Sequence, residues 1–260
     1  MSLPRPAPPF PDPSLKFAIE TEAVAAHTGD QLLGVVQGLY DPSGLVLDVG
    51  CGQGRLAYAL RRGGHAGTYL GVDVRPGVID WLTANFTSFD PDYAFAHLDV
   101  RNGRYNPGGK LEASTFKIPR LARPPTLVLA LSLFTHMLEA DVRGYLERIS
   151  LLMDKQTLLY ATFFLLNADQ RRFSRFTQAP VALDHTLGSH ARVRDPEHPE
   201  AAIGFEEERL RDWIADAGLF VNRTLYGKWC GRSGSEVFQD TLLMRRVPRA
   251  WRKAEVAAGT

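Results

Sequence analysis

Leu45-Val46-Leu47-Asp48-Val49-Gly50-Cys51-Gly52-Gln53-Gly54-Arg55 is the stretch that decides the fold. Its opening is apolar on consecutive residues, which reads as a short strand covered on both faces. The glycines that follow allow a tight turn, and Arg55 to Arg62 reads as a short helix stopped by Gly63-Gly64. A second apolar run, Thr68 to Val72, ends on Asp73. Strand, glycine turn, helix and strand form the opening unit of a parallel α/β sheet.

The rhythm continues outward from there. Val78–Phe86 is expected as a helix, Tyr93–Ala96 as a third strand and Thr126–Leu131 as a fourth. Helix 139–153 carries an apolar stripe of Leu138, Val142, Tyr145, Leu146, Ile149, Leu152 and Met153, with Arg143 and Glu147 facing water as a pair. Thr157–Phe164 is strand five. Residues 165–204 break the pattern and are rich in arginine and histidine, as a substrate lid would be. Glu206-Glu207-Glu208 opens another helix, which Gly218 ends. Leu219–Tyr226 and Val237–Arg245 close the chain as an antiparallel pair. The expected fold is α/β and doubly wound: a seven-stranded, mostly parallel, Rossmann-like sheet with its last strand antiparallel.

One domain over 15–247 is expected, with an extended or disordered proline-rich lead over 1–14 and a fraying tail over 248–260. Leu15–Tyr40 reads as two helices broken at Gly29, with Asp30 capping the second. Hydrophobic residues are 45% and charged residues 23%, the balance of a soluble globular protein. A net charge of +1 gives no general attraction to nucleic acid or anionic lipid, and no apolar run is long enough to span a membrane. No basic-then-apolar leader opens the chain, so a cytoplasmic protein is expected. Cys51 and Cys230 read as reduced thiols, with neither a disulfide framework nor a metal set.

Ligands in such sheets sit beyond the carboxyl ends of the strands. Gly50, Gly52 and Gly54 lie there, beside Cys51. Asp73 can accept hydrogen bonds from both hydroxyls of a ribose, and Val74 follows it. Asp48, within the strand, is expected to hold the glycine turn by accepting backbone N–H groups. Asp99 can accept from an adenine amino group, while Val100 covers the ring. A dinucleotide fingerprint has a residue pair between its second and third glycines, to aim amides at a pyrophosphate. Here a single residue separates them, which favours S-adenosylmethionine, with NAD as the runner-up.

These residues resemble the class I S-adenosylmethionine-dependent methyltransferases. Within that family the chain looks like a bacterial group with a strand-five insertion, often found beside glycan-assembly genes. The resemblance runs from about Lys16 to Arg246 and includes Leu47–Gly52, Gly71-Val72-Asp73-Val74, Asp99-Val100-Arg101-Asn102, Ser132–Met137, Ala161–Asn167, Trp229–Arg232 and Gln239-Asp240. It implies the ribose role for Asp73, loop contacts for Gly50, Gly52 and Gly54, and adenine contact for Asp99 and Val100. The family's Lys-Pro-Gly-Gly turn before strand five is replaced by Met153-Asp154-Lys155-Gln156, and Pro125-Thr126 stands where Phe-Asp often enters strand four.

Methyl transfer needs a base when the nucleophile starts protonated. His136, just past strand four, is the candidate; a structural role at the loop is the alternative. Ser132 is placed either against the amino-acid end of the cofactor or in a local turn bond. His185, His190 and His198 match no compact metal-ligand set. Trp229 either stacks on a sugar or packs the last hairpin. The expected activity is methyl transfer to oxygen of a small molecule or glycan. The alternatives are a non-catalytic cofactor-binding partner subunit and an NAD-binding oxidoreductase. A nucleic-acid substrate is disfavoured by charge and by the lack of a basic or stacking module.

Overall fold

The structure is a computed structural model; it describes residues 8–11, 21–176 and 178–247. Most of the proline-rich lead and all of the tail from Pro248 therefore lie outside the described residues. Residues 8–11 are packed rather than free: Pro8 and Pro11 are buried, and the Phe10 ring lies 5.0 Å from that of Tyr58, whose hydroxyl donates to the Pro9 carbonyl.

In chain order the elements are α1 (Glu22–Val36), β1 (Leu45–Val49), α2 (Arg55–Arg62), β2 (Thr68–Asp73), α3 (Pro76–Leu82), β3 (Tyr93–His97), β4 (Leu127–Ala130), α4 (Glu139–Leu152), β5 (Leu158–Phe163), β6 (Leu165–Leu166), α5 (Ala168–Phe176), β7 (His185–Leu187), β8 (Ala191–Val193), β9 (Ile203–Glu206), α6 (Glu207–Asp216), β10 (Leu219–Leu225) and β11 (Asp240–Arg246). The main sheet has seven strands in the order β10-β11-β5-β4-β1-β2-β3. β1 to β5 run parallel, and β11 lies antiparallel between β5 and β10. The expected topology is therefore the observed one.

Alternate residues of the central strands enter two cores. Leu47, Val49 and Val128 pack with α4 and α6 on one face, whereas Val46, Leu127 and Leu129 pack with α1, α2 and α3 on the other. All residues of β1, β4 and β5 are buried, which is why these strands read as unbroken apolar runs.

Several expectations are corrected. α1 is continuous through Gly29, and Asp30 lies inside it, paired with Arg62. Gly29 is small because α2 crosses there: a Cβ would stand 2.7 Å from the Ala59 Cβ. The helix expected over 78–86 becomes a wider π turn over Thr83–Thr87. Leu138 is an exposed N-cap outside the apolar stripe of α4, and Arg143 reaches Glu139 and Asp216, each at 4.0 Å. Asp154 replaces the missing glycine turn before β5: its Oδ1 accepts from the amides of Gln156 and Thr157 at 2.8 and 2.9 Å.

The largest departure is the segment 165–204, which contributes most of a second sheet, β6-β9-β8-β7. Ala191, Val193, Ile203 and Phe205 enter the main core, so the segment is packed against the domain. The chain leaves β5 at Phe164 and joins the second sheet directly. Buried Asp240 holds that corner, accepting from Leu165 N at 2.8 Å, Gly227 N at 2.7 Å and Trp229 Nε1 at 2.6 Å. Trp229 is fully buried, so it packs the molecule and presents no face to a sugar. Arg171 pairs with Glu206, and Arg192 donates to the carbonyls of Leu183 and Asp184. These arginines stitch the segment together. No helix among the described residues is long and apolar enough to cross a membrane.

Candidate active site

The carboxyl ends of β1, β2 and β4 open into a cavity of about 300 Å³. Its floor is the glycine turn. Gly50 and Gly52 have φ of 80° and 55°, a region that costs any residue with a β-carbon. Both Gly50 N and Cys51 N donate to the Val72 carbonyl, at 2.8 and 3.0 Å, so the turn is stapled across to β2. Asp73 then ties it down: Oδ2 accepts from Gly52 N at 2.9 Å, and Oδ1 accepts from Arg75 N at 3.0 Å and Arg75 Nε at 3.1 Å.

Asp48, Gly50, Cys51, Gly52, Asp73, Val74, Ser132 and His136 all line this cavity. Their details differ from the sequence reading. Asp48 is buried and accepts from the Tyr69 hydroxyl at 2.7 Å, whereas Asp73 accepts the Gly52 amide of the turn. Burial pushes the Asp48 carboxyl up to about 7, against the Tyr69 hydrogen bond that favours its charge. Gly54 faces away from the cavity: a Cβ there would meet Leu82 at 2.9 Å. Asp99 and Val100 also stand outside the cavity wall, which Leu98 supplies instead. The Asp99 carboxylate accepts from Asn106 Nδ2 at 3.4 Å, and Val100 is a core residue. The loop after β3 is tied to a later stretch by the Val100–Leu111 bridge.

The opposite wall comes from the turns around β4 and α4. Ser132 has φ of 51°, the left-handed value that is rare for a residue with a side chain. It is held there from β5 and from the stretch before β11: Ser132 N donates to Thr162 Oγ1 at 2.8 Å, and Ser132 Oγ and Thr162 Oγ1 both donate to Gln239 Oε1, at 3.1 and 2.6 Å.

His136 lies in a short 3-10 turn over Phe134–His136. Its Nδ1 is 2.9 Å from the Glu200 carbonyl. A carbonyl only accepts, so Nδ1 carries the proton and Nε2 of the neutral ring is left with a lone pair. Burial lowers the imidazole below the ordinary histidine range. The Glu200 and Ala201 carbonyls oppose that, while Arg104 and Arg194 reinforce it. The Tyr105 ring stands edge-on to His136 at 5.7 Å.

Residues that the sequence reading missed complete the wall: Arg75, Arg101, Asn102, Tyr105, Asp141 and Tyr145. Asp141, in the first turn of α4, is raised to about 6 by burial and then by Glu200 and Glu112, with Arg101 opposing. A perturbed carboxyl in a cleft was a readable signal only once the fold had placed it there. His185, His190 and His198 do not reach the cavity; His198 is exposed and 3.1 Å from Asp195.

A doubly wound sheet of this order matches the Rossmann-like methyltransferase fold. Residues 46–154 match a family model described as a methyltransferase domain. Among solved structures, the chain is similar to the mitomycin 7-O-methyltransferase MmcR, with 15% identity, a TM-score of 0.53 and coverage of 86% of this chain and 55% of that one. It therefore spans about half of that protein's length. It is similar also to the CcbJ methyltransferase from Streptomyces caelestis, with 15% identity, a TM-score of 0.56 and coverage of 85% and 90%. The glycopeptide N-methyltransferase MtfA matches at 12% identity and a TM-score of 0.53, with coverage of 86% and 90%. These likenesses are likenesses of fold.

Proposed function

We propose that this chain transfers a methyl group from S-adenosylmethionine to an oxygen of a small-molecule or glycan acceptor. The observation that carries the reading is the meeting, in one cavity, of the glycine turn, Asp73 and a histidine whose Nδ1 is held by the Glu200 carbonyl. When bound, the cofactor supplies an electrophilic methyl on a sulfonium.

The residues fit that cofactor. Gly52 leaves room above the turn, where the nearest atom to an added Cβ would be Arg75 Nη2 at 3.4 Å. A carboxylate has about four lone-pair sites, and Asp73 accepts from Gly52 N on Oδ2 and from Arg75 N and Nε on Oδ1. Oδ2 thus retains capacity for a ribose hydroxyl, and a second hydroxyl displaces the Arg75 side chain from Oδ1. Ser132 is suited to the amino-acid end of the cofactor.

The acceptor side is Tyr105, His136, Asp141 and Tyr145. A hydroxyl must shed its proton as it attacks, and His136 Nε2 takes it. A base pre-set in this tautomer serves any acceptor that starts protonated, a hydroxyl first among them. The similar structures include methyltransferases of both kinds, one acting on a 7-O position and one a glycopeptide N-methyltransferase.

Calorimetry with S-adenosylhomocysteine and with NAD tests the cofactor assignment. S-adenosylhomocysteine is expected to bind and NAD to give no heat. Asp73→Asn keeps one acceptor oxygen and is expected to bind S-adenosylhomocysteine about tenfold to several hundredfold more weakly, the loss of one or two charge-assisted hydrogen bonds. Unchanged affinity in that variant, or binding of NAD instead, would sink the assignment. Incorporation of labelled methyl into a panel of hydroxylated small molecules and glycans then separates an enzyme from a non-catalytic binding subunit.

A further inference from the structure

We infer that Glu200, from the segment between β5 and α6, is a positioning residue of the active site: its main chain fixes the tautomer of His136, and its side chain holds the loop on which His136 sits. The inference rests on His136 being the base proposed above.

Glu200 belongs to a 3-10 turn, Pro199–Ala201, that precedes β9. It does not line the cavity. Its contacts with the site are made at two levels. The carbonyl lies 2.9 Å from His136 Nδ1. The carboxylate accepts from Asn102 Nδ2 at 2.7 Å, and the same Nδ2 donates to the His136 carbonyl at 3.1 Å. Asn102 is buried, and its Oδ1 accepts from Arg104 N and Tyr105 N at 3.2 and 2.9 Å. One glutamate therefore fixes the histidine ring, the histidine main chain and, through Asn102, the turn that carries Tyr105 against the ring.

The neighbouring residue supports this seat. A Cβ on Gly103 would stand 2.2 Å from Glu200 Oε2, so the docked carboxylate occupies the space a side chain would take. The usual orienting partner of a catalytic histidine is a carboxylate or carbonyl on the second ring nitrogen. In this molecule that partner comes from the second sheet. This explains why a segment that would otherwise be an ornament is packed into the main core. The charged groups facing the ring are Arg104 and Arg194, and both favour its neutral form. Glu200 also faces Asp141, whose carboxyl it helps to raise.

The test uses the full chain with ¹⁵N-labelled histidine. Long-range proton–nitrogen spectra report the tautomer and titration of each imidazole, and the His136 signals are identified by their loss in His136→Gln. The wild type is expected to show His136 as a single Nδ1–H tautomer with a midpoint below the ordinary value of about 6.5. In Glu200→Ala and in Gly103→Ala, a mixture of tautomers is expected, with the midpoint displaced from that of the wild type. Glu200→Gln retains an oxygen for Asn102 Nδ2 and is expected to restore the single tautomer. Binding of S-adenosylhomocysteine should change by less than about twofold in all of them, because neither residue touches the glycine turn. That titration also shows that a variant is folded. If Glu200→Ala and Gly103→Ala leave the tautomer and midpoint of His136 unchanged, the inference is overturned. Failure of the wild type to bind S-adenosylhomocysteine would instead sink the cofactor assignment and leave the tautomer measurement standing.

Discussion

At His136 the chemistry turns on which ring nitrogen is free. With Nδ1 committed to the Glu200 carbonyl, Nε2 is the remaining acceptor. His136→Ala is expected to bind S-adenosylhomocysteine normally and to slow methyl transfer by about a hundredfold, as loss of a general base does; wild-type turnover in a labelled-methyl assay would retire the role. Asp141 makes a second prediction at this scale, with a sign. Burial, Glu200 and Glu112 raise its carboxyl to about 6, above its value in an unfolded chain. The ionised form is therefore the disfavoured one in the fold, and its cost is relieved as pH falls from about 7 through 6 toward 4. Asp141→Asn should raise the urea midpoint at pH 7.5, and the gain should disappear near pH 4. Position 136 was legible in the sequence because it follows an apolar strand directly. Asp141 was not, because on the sequence it is one acid among several at a helix start, and only the cavity distinguishes it. The place of Asp99 after β3 is a local fact, whereas its contacts with residues 106–111 are not.

At the scale of elements, glycine changes meaning with its neighbours. Gly29 reads as a helix break, yet α1 runs through it and α2 crosses at that point. Gly29→Ala should gain about 1 kcal/mol of helix propensity. It should lose more to overpacking, which typically costs about 1–3 kcal/mol, since the added carbon would lie 2.7 Å from Ala59 Cβ and 3.2 Å from the Arg55 carbonyl. A lower urea midpoint is the expected result; a higher one would show that the two helices can part freely. α4 was readable because its apolar stripe repeats over 14 residues, and β1, α2 and β2 because the glycine turn and the acid punctuate them. β7 and β8, with three residues each, are too short for any alternation to register, and β6 is hidden as the continuation of β5. Their sheet is specified by contacts with the core, which no local pattern encodes.

At the scale of the whole molecule, Asp240 joins three segments. It receives hydrogen bonds from Leu165, Gly227 and Trp229, and burial raises its carboxyl to about 6 against the pull of those donors. Asp240→Asn turns an amide group toward donors that need an acceptor, and a loss of about 3 kcal/mol or more in unfolding free energy is expected, on the scale of broken buried charged hydrogen bonds. Urea denaturation checks it, and a change below about 1 kcal/mol would show that the corner is held by packing alone. The seven-stranded order was legible because alternating strands and helices permit few topologies. The corner was not, since its partners lie 75, 13 and 11 residues from Asp240. Among the described residues, the strand that Asp240 opens follows in the chain both of the strands it lies between. A nascent chain on the ribosome therefore carries β5 and β10 with bare edges until β11 emerges, a state in which exposed strands invite mispairing with other chains.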